Sequence, residues 1–295
     1  MAVSYNTGAA APANRQPIKW DKVGWFALLI VLAIVMILPL FWVITTALKS
    51  NNDIYKTPPD FFPNEFHFEN FWNGFQAINF GRLFLNTMII TVLSVIGGVV
   101  SSMIIGYALA RIKFPGRKIW FFLFIGSMMF PSIVTLIPLF RLYLSINWYD
   151  TWLPLIVPAW LGNPFFIFLA RQFYLTIPYD LDESAKLDGA GHFTILTRIM
   201  APITKPVWIT MAIMAFQGSW NDYLNPLVYL QSAEKWTLSI GMATFSSTFA
   251  GVANTHWNLY MAANLLYMLP PLIFFFLAQR YFVQGLGSLG NISQK

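Results

Sequence analysis

Cysteine is absent from the 295 residues, which excludes disulfide bonds and thiolate-ligated metal sites. Charge is scarce as well: Asp, Glu, Lys and Arg make up 10% of the chain, against roughly 25% in soluble domains. The three histidines, His67, His192 and His256, lack metal-ligand spacing. No dense basic run exists, so the net charge of +6 defines no nucleic-acid surface. Alternating segments of ~10 residues, the mark of a membrane β-barrel, are missing, and no internal repeat is visible. What is plentiful is apolar surface: 57% hydrophobic and 18% aromatic residues, with a mean hydropathy of +0.58. A chain this poor in charge cannot coat a water-facing surface of its own size, so most of that surface faces lipid.

The apolar residues gather into six long runs, at about 24–48, 83–110, 119–143, 152–170, 206–230 and 257–282. The first extends ~36 Å at ~1.5 Å per residue, enough to cross a ~30 Å hydrocarbon core with some tilt. Arg15, Lys19 and Lys22 precede it as in a signal peptide. The run is too long for a signal core, however, and no small-residue cleavage site follows, so an uncleaved helix is expected. Backbone groups in lipid must be satisfied within the segment, so the runs predict six transmembrane helices in an all-α integral membrane fold. A cytoplasmic N-terminus leaves Lys49, Lys56, Arg82, Arg141 and Lys235 outside and the other 13 of the 18 Lys and Arg inside. That bias predicts both termini on the cytoplasmic side. The expected organisation is a tail over 1–23, a six-helix domain over 24–282 and a tail over 283–295. Outside lie a Pro- and aromatic-rich segment at 49–82, partly at the membrane interface, and a loop at 231–256. The longest internal loop covers 172–205.

That loop predicts a helix, a turn and a second helix. Pro178 suits a first helical turn, and Asp180, Asp182 and Glu183 then sit at the positive end of the helix dipole. Asp182 and Lys186 are spaced as an i,i+4 pair, and Gly189 can take the left-handed conformation that ends a helix. In the second helix Phe193, Leu196, Ile199 and Met200 form an apolar face, and Pro202 stops it. Two short amphipathic helices make a rigid knob, suited either to internal packing or to docking on a soluble partner.

Glu183-Ser184-Ala185, Asp188-Gly189-Ala190, Phe193, Ile199 and Pro202 resemble the EAA loop of bacterial ABC importer permeases. Ser184 and Ala201 depart from the pattern by small side-chain changes. The stretches 106–116, 220–227 and 277–286 are similar to sugar permeases of the maltose-transporter second-subunit type. The resemblance implies a type I ABC importer permease in the bacterial inner membrane, paired with a homologous permease. It also implies two ATPase subunits carrying ATP and Mg²⁺, an external solute-binding protein and a sugar substrate. This chain would bind no cofactor and would not itself be an enzyme. Glu183 and Gly189 would seat the loop in the ATPase cleft, with Ala185, Asp188, Ala190, Phe193 and Pro202 completing the coupling surface.

Other features are less specific. Gly285-Leu286-Gly287-Ser288-Leu289-Gly290 matches G-x-G-x-x-G, but a transmembrane run precedes it where a nucleotide fingerprint needs a strand. Small residues on the second run (Thr87, Thr91, Ser94, Gly98, Ser101, Ser102, Gly106) line one face, suited to close helix packing or to a pore wall. On the fifth run Thr210, Gln217, Asn221 and Asn225 fall near one face beside Trp220 and Asp222. These groups could hydrogen-bond and stack on a sugar, or simply bond neighbouring helices. Met128-Met129-Phe130-Pro131 predicts a kink in the third run. A secondary transporter would use intramembrane carboxylates and repeats; Asp222 is the one acidic candidate in a run. An ABC permease for a non-sugar solute is the other alternative.

Overall fold

The computed structural model describes residues 20–250 and 256–290; the rest of the two predicted tails lies outside the described residues. Helix α1 (Trp20–Ala47) is apolar on every side, and none of its most apolar stretch is buried. Such a helix faces lipid or another protein over most of its length. Only its end turns inward, where Thr45, Thr46 and Ala47 are buried and α1 packs on the last helix. The 49–82 segment follows with α2 (Asn51–Ile54), capped by the Ser50 hydroxyl, and α3 (Glu69–Ala77).

The central element is α4 (Phe80–Arg111). Its small-residue seam is packed against neighbours. The Ser94 hydroxyl donates to the Leu155 carbonyl at 3.0 Å, and Thr91 accepts from the Ser219 hydroxyl at 3.2 Å. A Cβ on Gly106 would lie 2.8 Å from the Ala170 Cβ, and one on Gly97 would lie 2.4 Å from the Trp160 ring. Gly106→Val is therefore expected to destabilise the chain by about 1–3 kcal/mol through overpacking, read as a lower unfolding midpoint in detergent. Gly98→Ser, where an added Cβ would meet nothing closer than 3.9 Å, serves as the tolerated comparison.

The third run differs from expectation. It forms α5 (Arg117–Ser127) and α6 (Ser132–Ser145), bent by 101°. Pro131 lacks an N–H and drives the residue before it out of the helical region, so the kink becomes a full break. The fourth run is also interrupted, between α7 (Leu153–Trp160) and α8 (Pro164–Thr176). Gly162 takes φ +92°, and the Asn163 side chain caps α8 by accepting from the N–H groups of Phe165 (2.9 Å) and Phe166 (3.2 Å). The Asn163 N–H freed by the break donates to the Ser102 hydroxyl on α4 at 3.0 Å, so α4 satisfies a group that lipid could not.

The 172–205 loop contains α9 (Asp180–Leu187), α10 (His192–Thr194), a π-helical stretch (Ile195–Met200) and α11 (Ala201–Ile203). After an 82° bend comes α12 (Lys205–Trp220). The fifth run is thus shorter than expected: its 16-residue helix spans ~24 Å and breaks at 221–223 before α13 (Leu224–Tyr229). A second correction concerns 231–256, read above as a loop. It contains a 3₁₀ turn (Ala233–Lys235) and α14 (Leu238–Ala250). Leu238, Ile240, Met242 and Phe245 are buried there, and small residues let α14 lie close against α4. A Cβ on Gly241 would meet Leu83 Cδ1 at 2.2 Å. The last helix, α15 (Trp257–Gly290), runs on through the G-x-G-x-x-G segment, which is helix rather than a phosphate-binding turn.

Among the described residues, four spans are long and apolar enough to cross a membrane, counting α7 with α8 as one, or up to six if each bent pair counts as one span. Two cores form at opposite ends of α4. One gathers Tyr107, Tyr174, Ile195, Met200 and Met211 near its Arg111 end; the other gathers Phe80, Leu83, Phe216, Trp220 and Leu238 near its Phe80 end.

Candidate functional site

The knob is built as the sequence predicts at its turn. Gly189 has φ +81°, its N–H donates to the Lys186 carbonyl at 3.0 Å, and the Ala190 N–H donates to the Ala185 carbonyl at 2.9 Å. This pair of bonds is a Schellman cap. Asp180, Asp182 and Glu183 occupy the first turn of α9; Pro178 stands just before it. The second helix differs from expectation in its winding. Pro202 sits within a helical turn and has no N–H to give the preceding turn; the π stretch relaxes that conflict by widening the helix. The helix ends at Ile203, one residue beyond Pro202.

The expected Asp182–Lys186 pair does not form. Asp182 turns inward and pairs with Arg111, the last residue of α4, at 2.8 Å, with both side chains almost fully buried (2% and 4% exposed). Arg111 Nη2 also donates to the carbonyls of Tyr174 (2.5 Å) and Ile177 (2.6 Å), the carbonyls at the end of α8. Its guanidinium lies 5.6 Å from the Tyr179 ring centroid, and Lys186 Nζ is at 5.6 Å from the same ring. Beyond the ion pair neither Asp182 oxygen gains a hydrogen bond. One side chain therefore fastens α4, α8 and α9 together. Arg171 adds a second tie, with Nε donating to the Leu109 carbonyl at 3.3 Å.

The sequence-predicted coupling residues divide into two sets. Ala185 is buried, and Ala190 packs against the same core. Glu183, Asp188, Gly189 and Pro202 are exposed. Phe193 does not share the buried face of Leu196 and Met200; it stands 75% exposed, and Leu187, the last residue of α9, is 89% exposed. The knob thus presents Leu187 and Phe193, its two most exposed large apolar side chains, on a base tied to α4 and α8.

At the other end, the predicted polar stripe on α12 is mostly engaged. Trp220 is fully buried, stacked on Phe216 at 5.5 Å and edge-on to Phe84 at 5.8 Å, so no ring face is free. Asp222 accepts from the Asn225 N–H (3.2 Å) and from Asn225 Nδ2 (2.9 Å), closing the start of α13. The Thr210 hydroxyl donates to the Pro206 carbonyl at 2.8 Å. Asn221 donates to the Gln217 carbonyl at 2.9 Å and accepts from the Tyr267 hydroxyl at 3.0 Å. Gln217 and Asn221 remain exposed. Beside this stripe a cavity of ≈ 390 Å³ lies between the α4 seam, the α7–α8 break and α12, with Ser94, Gly98, Asn163, Gly218 and Ser219 in its wall. Among the described residues no group of three His, Asp or Glu is placed to hold a metal.

A clamp that the sequence did not reveal joins the 146–152 turn to the 231–237 segment. Asp150 accepts from the Ser232 hydroxyl (2.5 Å), the Ser232 N–H (2.9 Å) and the Gln231 N–H (3.0 Å), and pairs with Lys235 Nζ at 3.0 Å. The Ser232 hydroxyl, with the two N–H groups and Lys235, holds the Asp150 carboxyl well below the usual carboxylate range. A depressed folded value contributes stability above the unfolded value and loses it as pH falls through the folded one. Hydrogen exchange at Gln231 and Ser232 is accordingly expected to stay protected at neutral pH and to open only in strong acid. Asp150→Asn should remove that pH dependence.

Several membrane-length helices, a backbone break satisfied by the central helix, and an exposed apolar knob at one end describe a polytopic membrane protein. Residues 98–288 match the family described as binding-protein-dependent transport system inner membrane component. The chain is 31% identical over 255 residues to the diacetylchitobiose uptake system permease protein NgcG of Streptomyces coelicolor, covering 86% of this chain and 83% of that one. It is 32% identical over 260 residues to the arabinooligosaccharides transport system permease protein AraQ of Bacillus subtilis, covering 86% and 90%. A chain of a bacterial ABC transporter involved in the import of the acidic polysaccharide alginate superposes with a TM-score of 0.79 at 20% identity, covering 92% of this chain and 100% of that one. The protein therefore belongs to the binding-protein-dependent transport inner-membrane family and has the type I ABC importer permease fold.

Proposed function

We propose that this chain is one of two homologous permease subunits of an ATP-driven importer of oligosaccharides, with the knob on the cytoplasmic face. Two ATPase subunits, carrying ATP and Mg²⁺, dock there, and a solute-binding protein delivers sugar at the Phe80 end of α4. The sugar class is supported by what NgcG and AraQ are named for; the orientation is supported by the six-run topology expected from the sequence, which assigns 13 of the 18 Lys and Arg to the side of the 172–205 loop. The uncovered length of α1 fits lipid together with a second permease.

The observation that carries the reading is an exposed apolar pair, Leu187 and Phe193, on a knob tied to the end of α4 by a buried ion pair. Closure of the ATPase dimer would move Glu183 and Gly189. Because α9 is fastened to α4 and α8, that motion would reach the transmembrane helices instead of bending the loop. Gln217 and Asn221 are left as candidate substrate-pathway groups, while Trp220, Asp222 and Asn225 support them through packing and capping.

The test is uptake by the complete importer in proteoliposomes. Oligosaccharide accumulation should require internal ATP and the loaded binding protein, and should vanish when this chain is omitted. Accumulation driven by an ion gradient without ATP would contradict the reading and favour a secondary transporter.

A further inference from the structure

We propose that the Phe80 end of α4 carries a binding ledge for a neutral oligosaccharide, an assignment that rests on the importer reading. Two cavities of ≈ 550 and ≈ 460 Å³ adjoin there, and Asn79 and Arg82 line both. Both fall within the roughly 300–1,000 Å³ of small-molecule sites. The smaller has an aromatic wall. Trp72 is 62% exposed and stacks on Phe75 with centroids 5.9 Å apart and planes within 7°, beside the exposed Gln76. The larger is walled by Glu234, Trp236 and Thr244.

The walls are held in place before any ligand arrives. α3 is seated so closely on α15 that a Cβ on Gly74 would lie 2.6 Å from the Leu259 carbonyl oxygen. Asn86 Nδ2 donates to the carbonyls of Glu234 (2.8 Å) and Trp236 (2.9 Å), and Trp152 Nε1 donates to that of Lys235 at 3.0 Å. With the Asp150 clamp, the Glu234 wall is pinned from two sides. Preorganisation of this kind lowers the ordering cost of binding.

The chemistry of the walls selects the ligand. A sugar ring offers a flat C–H face to an exposed indole and a rim of hydroxyls that both donate and accept. Gln76 and Asn79 can do either, Arg82 only donates and ionised Glu234 only accepts. Among the described residues the Arg82 side chain makes no ion pair or hydrogen bond. Arg82 and Glu234 on one cavity balance each other's charge, which favours a neutral saccharide over an anion. Two subsites sharing a wall fit more than one ring. The ledge would hold sugar leaving the binding protein until the pathway between the helices opens.

The experiment uses the complete importer in proteoliposomes, with a mixed pool of neutral di- to hexasaccharides from chitin, arabinan and starch hydrolysates as probe. The readout is sugar accumulated per ATP hydrolysed, by mass spectrometry of the lumen. Trp72→Ala and Arg82→Ala are each expected to lower that ratio about tenfold, the loss of one well-placed contact. An unchanged ratio overturns the ledge, including the case where uptake and ATP hydrolysis fall together because the surface docks the binding protein. If the wild-type importer accumulates nothing from the pool, the ledge and the oligosaccharide reading fall together. If it accumulates a sugar and both variants keep the ratio, the ledge alone fails.

Discussion

Arg111→Ala is expected to cost about 3–5 kcal/mol, because it leaves the Asp182 carboxylate buried without a partner. It also strips two carbonyls at the end of α8 of their donor. The loss should fall on the knob, since Arg111 ties α4, α8 and α9 at a single point. Detergent-solubilised complexes should retain less ATPase on pull-down, and uptake should fall further than ATP hydrolysis, because the motion no longer reaches α4. Arg111→Lys keeps a charge but loses the fork that serves Asp182 and the carbonyls together, and should lie between wild type and alanine. Removing both charges, in Arg111→Met with Asp182→Leu, should restore much of the stability without restoring full coupling. Equal loss in the single and double variants would show that the buried charge is not what holds the knob.

Gly189→Val is expected to abolish ATPase co-purification and ATP-driven uptake. The reason is backbone conformation: φ is +81°, and a β-branched residue there is a genuine outlier. The left-handed region costs ordinary residues roughly 1–2 kcal/mol and Asn less. An added Cβ would meet nothing within 4 Å in this chain, so crowding inside the knob is not the cause. Gly189→Asn should therefore retain most uptake. If Gly189→Asn fails as completely as Gly189→Val, the glycine is needed for close approach by the ATPase and not for its left-handed turn.

The helical, membrane-spanning character was legible from composition alone, and the turn at Gly189 from local chemistry. What escaped the sequence was long-range. Asp182 had a plausible local partner in Lys186, one helical turn on; nothing in the pattern points instead to Arg111, far back at the end of α4. Trp220 looked available for stacking because a pattern on one helix cannot show that Phe216 stacks on it and that its neighbours bury it completely. Helix α14 was missed since its buried face is diluted by Ser, Thr and Gly, which are there to let it approach α4. Other breaks were readable in principle: Gly162-Asn163-Pro164 is a stop, a cap and a first-turn proline in succession, and Pro202 following the 192–200 helical pattern foretells trouble in the turn before it. The Asp150 clamp had no sequence signal, because its partners lie 81–85 residues away.

The most direct measurement of the coupling claim exploits the absence of cysteine. Leu187→Cys places a sole thiol at the tip of the knob, on a side chain that is 89% exposed, and a thiol-specific bifunctional reagent is then applied to the assembled importer. An adduct between this chain and an ATPase subunit is expected, with the thiol shielded from impermeant maleimide added outside intact cells. Labelling of Leu187→Cys from outside, with no ATPase adduct, would contradict it.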